Sequence, residues 1–79
     1  MISEAEKANL KVGLKQVKKA LAARKATKVF LAEDCDEYLR ASVESLCSEA
    51  SVTPSYVSTM AELGAQCGIS VKASCACIC

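Results

Sequence analysis

Six cysteines and ten basic side chains are the groups in this 79-residue chain with the most chemistry to offer. Cys75, Cys77 and Cys79 alternate near the end of the sequence. In an extended strand their sulfurs share one face, about 6.8 Å apart. Two thiolates on one zinc stand about 3.8 Å apart, so a flat strand cannot chelate with such a set. The spacing suits a disulfide poorly as well. Cys35, Cys47 and Cys67 are scattered, and no CxxC pair occurs. These thiols are therefore expected to act as small buried hydrophobes, with Cys79 exposed and oxidisable. No metal or other cofactor is expected.

Other catalytic sets are absent. With no histidine, a Ser-His-Asp or Cys-His arrangement cannot form within one chain, nor can a zinc site that needs imidazole. Three aromatics (Phe30, Tyr38, Tyr56) and no tryptophan leave little for a base-stacking platform. Glu33, Asp34, Asp36 and Glu37 put four carboxylates within five residues, which could suggest magnesium or acid–base chemistry. Between a strand and a helix, however, acidic residues serve the macrodipole and the cap amides, so they read as structural. Neither a P-loop nor a GxGxxG fingerprint is present. The chain does not read as an enzyme.

The cations carry more information. Net charge is only +1, yet eight of the ten basic residues lie between Lys7 and Lys28. From Lys7 to Ala32 there is no Asp or Glu. Such segregation makes a positive face on a nearly neutral protein, as polyanion binders do. A solvated basic face is the plain alternative, but surfaces built for solubility usually mix signs. Lys11 and Lys15 flank a helix start that already carries partial positive charge, where cations are mildly unfavourable. A phosphate there would reverse the sign of that effect, and Gly13 would let the backbone come close to it.

The elements that position these groups can be read from periodicity. Ser3 and Glu6 form a capping box for a short helix over Glu4 to Ala8. Leu10 and Val12 lead to Gly13, after which Leu14, Val17 and Leu21 repeat at helical spacing to about Lys25. Lys28 to Ala32 reads as a strand covered on both faces. Asp34 and Asp36 are both suitable N-caps for a helix with the stripe Leu39, Val43, Leu46 and Ala50. Val52 to Val57 reads as a short strand holding Pro54, as an edge allows. Thr59 and Glu62 cap a helix that Gly68 ends, and Ile69 to Cys79 reads as a closing strand. Helices alternating with strands predict an α/β fold: a three-layer α-β-α sandwich around a small mixed sheet, as a single domain over residues 1–79.

The longest charge-free stretch, Ala50 to Ala61, is far short of the roughly twenty residues a membrane helix needs. The N-terminus lacks a secretory pattern, which predicts reduced thiols, a cytoplasmic location and no membrane partner.

Residues 13–20 (GLKQVKKA) resemble the signature Gly-Thr-Asn-Glu-x-x-Lys-Ala of the L-seven-Ae family of kink-turn RNA-binding ribosomal proteins. Val29–Asp34 resembles the strand and acidic turn that follow it. Leu46-Cys47, Tyr56-Val57, Glu62-Leu63-Gly64 and Cys67-Gly68 keep the spacing of that family's second half. The likeness is strongest to short bacterial members, in which Lys-Gln replaces Asn-Glu. It implies an α-β-α sandwich that grips a kink-turn, a bent RNA helix with tandem sheared G·A pairs, in ribosomal or riboswitch RNA. By the same resemblance Lys15, Gln16 and Lys19 approach the G·A pairs, and Gly13 and Leu14 allow backbone contact. Lys18 and Lys28 complete the RNA-facing cations. Val57, Ser58, Thr59 and Met60 cover flipped-out bases. Asp36 and Glu37 lie near a further contact region, but the family's usual proline is missing there. The partner expected is RNA and the protein a monomer. Two other readings stay open: an assembly module whose basic face meets an acidic protein, and a cysteine-based redox or metal protein.

Overall fold

The computed structural model describes residues 4–79. In chain order the elements are α1 (Glu4–Lys7), β1 (Leu10–Val12), α2 (Leu14–Ala22), β2 (Lys28–Ala32), α3 (Glu37–Glu49), β3 (Pro54–Val57), α4 (Met60–Cys67) and β4 (Cys75–Ile78). The strands form one sheet in the order β1-β4-β2-β3. β4 is antiparallel to both β1 and β2, and β3 runs parallel to β2, so the sheet is mixed. Helices α2 and α3 pack together on one face and α4 lies on the other. This is the three-layer α-β-α sandwich that the alternation of elements predicts.

The last strand to be made is thus an inner one. All four residues of β4 are buried, because helices cover both of its faces. Three of the four side chains, those of Cys75, Ala76 and Cys77, are small and let those helices come close. Around them Val17, Val29, Leu31, Val43 and Leu63 are fully enclosed, each worth about 1.5–3 kcal/mol of burial. Gly64 meets the tightest packing. A Cβ there would lie 2.2 Å from the carbonyl oxygen of Val71, so the segment after α4 can cross the helix only at a glycine.

The structure departs from the sequence reading at several elements; β3, for one, begins at Pro54 and not at Val52. The tail is not one strand from Ile69. Residues 69–74 form a loop over α4, tied by the Ala73 amide donating to the Met60 carbonyl, and only Cys75–Ile78 enters the sheet. The three-residue strand β1 escapes periodicity because it is too short to show any. Helix α2 stops at Ala22, where Arg24 turns left-handed (φ 56°) and the Lys25 amide donates back to Ala20 (2.9 Å). Asp36 caps α3, accepting from the Tyr38 and Leu39 amides. Asp34 instead reaches α4, accepting from the Met60 amide at 2.8 Å. The proposed Ser3 cap lies outside the described residues.

Candidate nucleic-acid interface

A set of cross-links gathers several loops at one end of the sheet. The Gly13 amide donates to Cys75 O, the Ala32 amide to Ser74 O, and the Glu33 amide to Val57 O. The Asp34 carboxylate then holds the first amide of α4. The start of α2, the acidic turn after β2 and the loop from Val57 to Met60 thereby share this end. β1 and β3 are the two edges of a four-stranded sheet, so Gly13 and Val57 flank it at roughly 14 Å, three strand spacings.

The start of α2 differs from those of α3 and α4 in its chemistry. Its N-cap is Gly13 (φ 104°, ψ 155°), a conformation open essentially to glycine alone, and no side chain caps the helix. No acidic residue lies in the first turn. A Cβ on Gly13 would meet nothing within 4 Å, so open space lies before this backbone. The first amides of a helix have no intrahelical acceptor. Here they stand beside exposed Lys15 and Gln16, with Lys18 and Lys19 exposed on the following turn. The arrangement is suited to an anion.

Two grooves flank α2. One, between α2 and α3, has a volume of about 610 Å³ and is lined by Lys18, Ala22, Tyr38, Ser42 and Leu46. Tyr38 is 83% exposed there. The other groove lies between α2 and the β1 edge. It measures about 240 Å³ and brings Lys11, Gln16, Lys19 and Lys25 together with Cys79.

Ten of the eleven residues expected at the site therefore fall on α2 or on the 57–60 loop. Their roles are not equal. Val57 is buried and faces the core, leaving Ser58, Thr59 and the half-buried Met60 to present a surface. Thr59 accepts from the Glu62 amide at 3.0 Å and so also caps α4. Lys28 stands apart. It opens β2 opposite Ile78, and β2 runs toward the gathered end, so its first residue is the farthest from it. Its ammonium pairs with Glu6 at 2.5 Å. Counting cations along the chain cannot register strand direction.

The thiols divide by place. Cys35, Cys47, Cys67, Cys75 and Cys77 are buried and Cys79 is exposed, all six unbridged. Burial pushes the Cys35, Cys47, Cys67 and Cys75 thiols up from their ordinary range. Burial, with neighbouring Cys79, pushes Cys77 up to about 12. Thiols held in this form are poor nucleophiles. Among the described residues no group of three or more His, Cys, Asp or Glu is placed to hold a metal ion. No helix among them is long and apolar enough to cross a membrane. On the far edge the Tyr56 hydroxyl donates to Glu44, which raises its pKa.

Known proteins are similar to this chain in sequence or in fold. An RNA-binding protein of Caldanaerobacter subterraneus subsp. tengcongensis is 38% identical over 63 residues, 80% of this chain and 77% of that one. An RNA-binding protein of Bacillus pumilus is 40% identical over 63 residues, with the same shares. A solved structure of a protein of unknown function from Bacillus halodurans superposes with a TM-score of 0.82 at 21% identity. It covers 90% of this chain and 71% of that one, a likeness of fold alone. The sequence profile of the ribosomal protein L7Ae/L30e/S12e/Gadd45 family matches residues 2–79, and the chain belongs to that family.

Proposed function

We propose that this protein binds RNA and recognises kink-turns in ribosomal or regulatory RNA, holding the bend rather than catalysing a reaction. The observation that carries this reading is the start of α2: uncapped, free of carboxylates and flanked by lysines, in a chain of the L7Ae family. Regular A-form RNA hides its base edges in a deep, narrow groove, so a bent helix is what such a helix end can enter. Gln16 both donates and accepts, while Lys15 and Lys19 only donate. Ser58, Thr59 and Met60, across the same end of the sheet, cover the unstacked bases. The protein acts as a monomer in the cytoplasm.

A gel shift with a kink-turn duplex, against the same RNA with its G·A pairs replaced, tests the reading. Preferential binding of the bent RNA is expected. Equal binding of the two would reduce the interaction to charge alone. Gln16→Ala is expected to lower that preference while leaving general RNA adhesion intact.

A further inference from the structure

We infer that the groove between α2 and the β1 edge is a second RNA contact, a track for the sugar–phosphate backbone of the stem leaving the bend. The inference rests on the kink-turn reading and extends it to Lys11 and Lys25. Three observations carry it. First, the groove is cationic: Lys11, Lys19 and Lys25 line it and no Asp or Glu side chain does. Its small floor residues, Ala20 and Ala23, keep it open. Second, it is continuous with the proposed base-reading end, since Gln16 and Lys19 belong to both.

Third, the local fold brings Lys25 to the groove at a cost. Arg24 adopts a left-handed conformation that is unfavourable for any residue with a Cβ. Its consequence is that the Lys25 amide folds back onto the Ala20 carbonyl at 2.9 Å. On the opposite wall, Lys11 pairs in register with Cys77, on the sheet face covered by α2. Each lysine that neutralises a phosphate releases counterions, so such a track raises affinity without reading sequence.

Cys79 provides the direct probe. It lies in this groove and is the exposed thiol of the six, so iodoacetamide labels it in the folded protein. Bound kink-turn RNA is expected to slow that labelling at least tenfold. The double variant Lys11→Ala/Lys25→Ala is expected to weaken the bent RNA and its G·A-replaced counterpart by the same factor. It should also lower the slope of log affinity against log salt by about two. Unslowed labelling together with an unchanged salt slope overturns the track. Protection by polyglutamate but not by RNA would assign the groove to an acidic protein and overturn it equally. The parent reading fails differently. Equal binding of the two RNAs, with the lysine effect intact, removes kink-turn recognition and leaves the groove.

Discussion

Helix α3 begins under the carboxylate of Asp36, and α4 under the hydroxyl of Thr59, each with a glutamate in its first turn. Helix α2 begins at Gly13 with no side-chain acceptor, no acid in its first turn, and Lys15 one residue inside. The first two starts satisfy their amides and their dipole within the protein. The third leaves both unsatisfied and adds like charge. In a chain with nine carboxylates available, this contrast marks the helix that looks outward for its counter-charge.

The contrast can be broken in several ways. The largest effect is on the whole layer beneath α2. A thiol ionises near pH 9 when unfolded, whereas Cys77 in the fold does so at about 12. The stabilisation is therefore whole below pH 9 and is lost as pH climbs toward 12. Thermal melts at pH 7 and 10.5 should show a clear drop, and a flat profile would contradict the burial account. Next, Lys19→Glu should lower affinity for every RNA by at least about tenfold, read by fluorescence anisotropy. Glu37→Gln, at the self-satisfied start of α3, should change it less than about twofold.

Stability sharpens the same comparison. Gly13→Ala should cost about 1–3 kcal/mol in urea unfolding, because φ of 104° there is strained for alanine. Asp36→Ala should cost about 0.5–2 kcal/mol through lost capping, with RNA affinity unmoved. Smallest and most telling is Lys15→Glu. It should raise stability by about 0.3–1 kcal/mol by favouring the dipole, while weakening RNA binding. A loss of both would mean that Lys15 serves the fold.

Much of this was legible in the sequence. The stripes of α2 and α3, the hydrophobic run of β2, and Thr59 and Gly68 at the ends of α4 are local patterns, and the fold keeps them. What periodicity could not reach depends on partners distant in the chain. β1 becomes a strand only because β4 arrives beside it. Asp34 looks like a cap for α3 until β3 delivers the start of α4 to its carboxylate. Val57 reads as part of the base-covering loop, yet it ends β3 as that strand's one buried residue. The groove joining Lys11 to Lys25 needs the β1 edge and the far end of α2 side by side, which no spacing encodes.

The most direct test of the central claim is a ¹⁵N-resolved titration of the protein with kink-turn RNA. The backbone amides of Gly13 to Gln16 should shift most, with those of Ser58 to Met60 next and the capped amides of Tyr38 and Leu39 quiet. Saturable binding that leaves Gly13 to Gln16 unmoved, with shifts centred elsewhere, would contradict the account.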